Sequence, residues 1–375
     1  MSTGRRTSPP FRADHVGSLL RPLELLRARD EHQAGRIDDD QLREAEDEAI
    51  RKVVQMQHDV GLQSATDGEF RRASWHMDFI YELGGIERAP GDIRVRFRNA
   101  DGEIEFTPAA IHVAEKVHLE APIFAKDFRF LKETVAGGVT PKLTIPSPSM
   151  VHYRGGAAAI DPSVYGDVGE FWDDLVKAYA DQVRAVSELG CTYLQFDDTS
   201  LAYLNDPRQR EEMASRGEDA EHLHETYIRH INEALADKPE GLTVTTHLCR
   251  GNFRSSWVAE GGYDFVAEAL FGELDVDGFF LEYDDARSGG FEPLRFVPPG
   301  KQVVLGLVTT KRGELEDPDV LKRRIEEASR YVPLDQLCLS PQCGFSSTVE
   351  GNQLTYDQEV AKLELIVRTA ADVWG

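Results

Sequence analysis

The chain has 375 residues, 41% of them hydrophobic and 29% charged, and its 42 basic against 66 acidic side chains give a formal charge of −24. Such a surface repels phosphate backbones and anionic lipids, which argues against nucleic acid or a membrane as partners. No apolar run approaches the roughly 20 residues of a membrane span, and four cysteines in a chain this long are too few for a disulfide framework. A soluble enzyme of a reducing cytoplasm is the expectation.

In chain order, the opening "MSTGRRTSPPF" is polar, lacks an apolar signal-peptide core and reads as a flexible arm over residues 1–10. A first strand candidate, "ADHVGS" (13–18), precedes a helical pattern over 38–60 in which Leu42, Ala45, Ala49, Val53 and Met56 recur three or four apart. "SATDGE" (64–69) is the second strand. "IRVRFRNADGEIEFTP" (93–108) alternates about an Asn-Ala-Asp-Gly turn and reads as a β-hairpin. Then come "PKLTIPS" (141–147), a helix over 171–189, "CTYLQFDD" (191–198), a helix over 221–236, and "LTVTTHLC" (242–249). "GFFLEYDD" (278–285), "QVVLGLVTT" (302–310), a helix over 317–331, "QLCLSPQC" (336–343) and a helix over 356–373 complete the series. Strands alternating with helices imply a parallel sheet, and eight such strands imply a closed (β/α)8 TIM barrel with the hairpin as an excursion between strands 2 and 3. A barrel needs about 250 residues, and the first two connections hold much of the excess, so 11–375 reads as one catalytic domain.

Barrel enzymes draw their active sites from the carboxyl ends of the strands. Here those ends carry Asp14 to Ser18, Asp67 to Glu69, Asp197 and Asp198, His247 and Cys249, Glu282, Thr309 to Lys311, and Cys343 with Gly344. His247, Cys249, Glu282 and Cys343 offer one nitrogen, one carboxylate and two sulfurs, a set that suits Zn2+ and not magnesium or calcium. Plainer roles exist for each. A strand-end cysteine is often just a small buried residue, which describes Cys191 and Cys338 well. Glu282 has Arg287 and Arg295 nearby, Glu69 has Arg71 and Arg72, and Asp197-Asp198 and Ser18 can cap turns.

The motifs "DHVGSL", "DGEF", "LQFDD", "THLC", "FLEYDD" and "SPQCG", in that order over about residues 11–373, resemble the C-terminal catalytic barrel of cobalamin-independent methionine synthase, in the form of its short single-barrel relatives. The resemblance implies a zinc-dependent methyltransferase in methionine biosynthesis. Zinc on His247, Cys249, Glu282 and Cys343 would activate the thiol of homocysteine toward a methyl donor, methyl folate or a methylated corrinoid. It also implies that Val16, Gly17 and Ser18 hold the substrate carboxylate, and that Glu69 and Asp197 meet its ammonium group. The donor half departs from the family pattern. Lys311 stands about where the family has a histidine proton donor and would serve only if burial lowered its pKa. The family's ring-stacking tryptophan is replaced near His152 and Tyr153, and Tyr203 stands for a folate-contacting glutamate. The alternatives are an epoxyalkane:coenzyme M transferase-like enzyme acting on a sulfonate thiol, a zinc hydrolase, and a binding protein with structural zinc. Two acids suit an ammonium better than a sulfonate, and two cysteines suit thiol alkylation better than hydrolysis.

Overall fold

The computed structural model describes residues 4, 6–91, 95–99, 102–107, 110–153 and 155–375. In chain order its strands are β1 (Ser64–Ala65), β2 (Leu83–Ala89), β3 (Val95–Asn99), β4 (Gly102–Phe106), β5 (Ala110–Leu119) and β6 (Thr140–Pro141). These are followed by β7 (Leu143–Pro146), β8 (Tyr193–Asp198), β9 (Thr243–Leu248), β10 (Gly278–Glu282), β11 (Gln302–Val308) and β12 (Leu337–Pro341). The last six form a parallel six-stranded sheet in sequential order. Every residue of β10, β11 and β12 is buried, as expected of a parallel sheet covered by crossover helices.

β6 leads into β7 and pairs in parallel with β1. On the other side of the sheet, Ala13 makes a parallel bridge to Leu339 of β12. The expected first strand, 13–18, is reduced to that bridge. Beyond it the backbone is claimed by side chains: Lys142 Nζ donates to His15 O (2.6 Å), Gln195 Nε2 to Val16 O (2.6 Å) and Thr66 Oγ1 to Gly17 O (2.6 Å). A ladder needs those groups, so the segment becomes a turn held from three directions.

The helices start where capping chemistry allows. Asp39–Asp59 opens on a capping box between Asp38 and Gln41, and Tyr356–Trp374 on one between Thr355 and Gln358. Pro318–Ala328 has Pro318 in its first turn, and the Asp317 side chain accepts from Asp319 N. Among the described residues no helix is long and apolar enough to cross a membrane. Of the 1–10 arm, Arg6 accepts from Gln63 Nε2 at 2.9 Å and donates to Pro10 O at 2.8 Å.

β3 and β4 pair antiparallel from Val95↔Phe106 to Asn99↔Gly102; the expected turn residues 100 and 101 lie outside the described residues. β2 and β5 form a second antiparallel pair around them in sequence. The excursion folds back over the loop that follows β9. Arg98 and Trp257 exchange backbone hydrogen bonds (2.7 and 2.9 Å), and Asn99 Nδ2 donates to Ser256 Oγ (3.0 Å).

Glu359, in the last helix, is fully buried and accepts from Leu20 N at 2.9 Å. Burial pushes its carboxyl up to about 8, against about 4.3 in an unfolded chain. Between those values the folded state holds a proton that the unfolded state has lost. Its stabilising contribution is therefore complete below about pH 4.3 and is lost as pH rises through about 8. Urea unfolding of Glu359→Gln is expected to show a shallower loss of stability between pH 5 and 8 than wild type, whose slope from this group is up to about 1.4 kcal/mol per pH unit. Parallel pH profiles would show that the carboxyl is not proton-bound in the fold.

Candidate active site

Parallel pairing in register aligns the strand ends. Asp197 of β8 lies opposite His247 of β9, and Leu248 opposite Leu281 of β10, one residue short of Glu282. Cys249 N then donates to Asp198 O (2.9 Å), which turns its side chain toward Cys343, just beyond β12. The two sulfurs are 3.2 Å apart. A His247 ring nitrogen joins them so that the three candidate ligand atoms lie within 4.8 Å of one another, all buried. Neither ring nitrogen of His247 has a well-formed hydrogen bond. The Cys343 thiol is held well below the ordinary range, chiefly by its hydrogen bond with Cys249 and then, against burial, by His247. Cys249 is pushed up by the same hydrogen bond and by burial. Two buried cysteine sulfurs and an imidazole beside them form a donor set that fits zinc.

Glu282, the expected fourth ligand, lies at the flank of this group and acts electrostatically on all three of its members. Its carboxylate accepts from Lys311 Nζ at 3.0 Å, from Arg250 N at 3.1 Å and from Arg287 Nη2, and it stands beside the three-residue group, not within it. Burial raises its pKa, but Lys311, Arg287 and Arg250 outweigh that and hold it well below the usual carboxylate range. Lys311, beyond the neighbouring strand β11, and Arg287, in the turn after β10, balance its charge. Lys311, the expected candidate proton donor, is buried at the same flank. Burial lowers its pKa, but Asp284 and Glu282 outweigh it and hold the ammonium above its ordinary value.

The acids expected to meet an ammonium group are placed together. Glu69 and Asp197 are 3% and 6% exposed, and Glu69 raises the proton affinity of Asp197. Asp197 is pushed up to about 7 by burial and by Glu69, with His247 opposing. Glu69 is raised by burial and Asp67, against Arg72 and a hydrogen bond from Thr144. The Arg72 guanidinium is 3.6 Å from Glu69 and also donates to Thr144 O at 2.8 Å, so its compensation of the acid is partial. Glu69 has a left-handed backbone, φ 60°. Gly17, at φ 143°, lies directly beneath: a Cβ there would come 2.8 Å from Thr144 Cγ2 and 3.5 Å from Glu69 Oε1. Only glycine lets the 16–18 turn approach Glu69 this closely.

Val16, Ser18, Glu69, Asp197, His247, Cys249 and Cys343 all line one cavity of about 350 Å³. Its far wall was not read from the sequence. Trp75, His76, Tyr81 and Phe253 line it, and so do Val95 and Phe97 of the hairpin. Phe97 packs against Phe253 with ring centroids 5.2 Å apart and the planes tilted by 48°. The signal was present in "VRFR": one apolar face on a hairpin remote from the sheet has to cover something. Glu282 and Lys311 do not line this cavity.

The family model for the cobalamin-independent synthase catalytic domain matches residues 11–371. The uncharacterized protein YxjG of Bacillus subtilis is 48% identical over 372 residues, spanning 99% of this chain and 96% of its own. The crystal structure of a putative vitamin-B12-independent methionine synthase from Listeria monocytogenes is similar at a TM-score of 0.78 and 40% identity, covering 98% of this chain and 99% of that one. The methionine synthase of Pyrococcus abyssi is 24% identical over 329 residues, 88% of this chain and 84% of that protein. With a family match over nearly its whole length, this chain belongs to the cobalamin-independent synthase catalytic-domain family, whose methionine synthase members support a methyltransferase assignment.

Proposed function

We propose that the protein transfers a methyl group to the thiol of homocysteine, giving methionine, on a closed (β/α)8 barrel over residues 11–375. The segment around Ala13 would close the barrel between β12 and β1, and Leu19 N donating to Gly68 O (3.1 Å) supports this. One observation carries the reading. A two-cysteine, one-histidine cluster and a pair of incompletely compensated acids open into the same cavity. A thiol substrate that also carries an ammonium group uses both.

His247, Cys249, Glu282 and Cys343 would hold zinc, which when bound supplies thiol activation, because a coordinated thiol loses its proton at neutral pH. Glu69 and Asp197 bind and orient the ammonium. The Val16–Ser18 turn, packed under Glu69 by Gly17, offers backbone N–H groups to the carboxylate. The aromatic wall of Trp75, Phe97 and Phe253 excludes water and receives the donor, methyl folate or a methylated corrinoid. Glu282 holds Lys311 and Arg287 at the flank of the cluster.

Homocysteine binding is expected to release about one proton at pH 7 from the thiol, plus a fraction from Asp197. Calorimetry of the zinc-loaded protein in buffers of different ionisation heat measures this. Binding with no net proton release would remove thiol activation from the account.

A further inference from the structure

The buried Arg21, which lies outside the cavity lining, joins the three segments that build the substrate end of the site. Its Nη2 donates to Glu69 O (2.9 Å) and Arg72 O (2.8 Å). Its Nη1 donates to Ser346 O (3.2 Å), Ser346 Oγ (2.8 Å) and Thr348 O (3.0 Å). Arg21 itself follows Ser18 by three residues, and its segment is fixed by Leu19 N donating to Gly68 O and by Phe345 N donating to Ser18 O (2.9 Å). One guanidinium thus ties the 16–18 turn to the left-handed backbone of Glu69 and to the chain beyond Cys343. At 8% exposure it has little access to water. Five charge-assisted bonds from a rigid planar fork define distances that a flexible ammonium cannot reproduce.

We infer that Arg21 is a positioning residue that sets the spacing between the turn facing the substrate carboxylate and the acid facing its ammonium, and so makes the site selective for α-amino-acid thiols. The inference rests on the homocysteine reading above. The sulfur end does not depend on Arg21. Near Cys343 the chain has its own anchors, Asn252 Nδ2 donating to Gly344 O (2.8 Å), Thr310 Oγ1 to the same oxygen (3.1 Å) and Gln342 N to Val308 O (2.9 Å). Glu69 has fewer: outside its own turn, its carbonyl is held by Arg21 and its carboxylate by Thr144 and Arg72. Losing Arg21 releases the head-group end of the site and leaves the sulfur end in place.

The test uses zinc-loaded full-length protein, comparing Arg21→Ala and Arg21→Lys with wild type. Affinities for homocysteine and for 1-propanethiol, which has no head group, are measured together with zinc content and thermal stability. In both variants homocysteine affinity should fall about tenfold or more, as expected when several charge-assisted bonds are lost. Propanethiol affinity should stay within about threefold and zinc content should be unchanged. Guanidinium at tens of millimolar should restore homocysteine binding to Arg21→Ala, where methylammonium at the same ionic strength should not. Equal weakening of both thiols, loss of zinc or unchanged homocysteine affinity overturns the inference. Should Arg21→Ala fail to fold, Arg21→Lys still gives the ratio of the two affinities. If wild type itself shows no preference for homocysteine over propanethiol, the homocysteine reading fails, and that outcome is distinct from a wild-type preference that survives in the variants.

Discussion

Cys343→Ser protein is expected to purify folded and to bind zinc at least roughly tenfold more weakly than wild type. The substitution removes the sulfur whose thiolate form the site favours most strongly and leaves a hydroxyl, a far poorer zinc ligand. The remaining His247, Cys249 and Glu282 offer one sulfur in place of two, and Glu282 also serves Lys311, Arg250 and Arg287. The fold should survive because the large core around β7 to β12 does not include Cys343. Elemental analysis after a mild chelator challenge reads the zinc, and thermal denaturation reads the fold. Wild-type zinc content in the variant would mean that the metal, if present, sits elsewhere.

The second large effect concerns what holds the amino group. Asp197→Asn removes one of two buried acids while keeping the shape and the hydrogen bond from Gln195 Nε2 (2.7 Å). Losing a charged hydrogen-bond partner for an ammonium costs about 1.5–3 kcal/mol, which is roughly 10- to 150-fold in homocysteine affinity. Mercaptoethanesulfonate, which has no amino group and carries a negative head, should bind the variant as well as or better than wild type. Zinc content should not change. Competition binding of the two thiols decides the matter. Equal weakening of both, or loss of zinc, would return Asp197 to a structural role and favour a sulfonate-thiol reading.

Much of this site could be read from the sequence because parallel strands bring distant residues to one rim by simple register. His247, Cys249 and Cys343 needed only that rule and the chemistry of their side chains. Glu69 and Asp197 fall on the same rim. Glu282 shows where the rule stops. Its position was foreseen, but whether a carboxylate turns to a metal or to a neighbouring cation depends on side-chain geometry, and Arg287 had already been a visible competitor five residues away. The charge state of Lys311 depends on a related feature. Burial alone would lower its pKa, but the two acids that reverse the sign, Glu282 and Asp284, come from another strand end. The strand expected over 13–18 was lost because its backbone partners are the side chains of Thr66, Lys142 and Gln195, which no local pattern announces. The roles of Arg21 and Phe97 were equally hidden. One acts through carbonyl oxygens of segments far away in the chain, and the other closes the cavity only after the excursion folds back over the loop following β9.

Methyl transfer to homocysteine sulfur is tested by product formation. Reduced, zinc-loaded wild-type protein is incubated with homocysteine and, in separate reactions, methyl folate or methylcobalamin, with methionine followed by mass spectrometry. Methionine is expected from at least one donor with wild type, and none above the protein-free rate with Cys343→Ser. A fully metallated wild-type protein that binds homocysteine yet forms no methionine from either donor, or a Cys343→Ser protein that forms it as fast as wild type, would contradict this expectation.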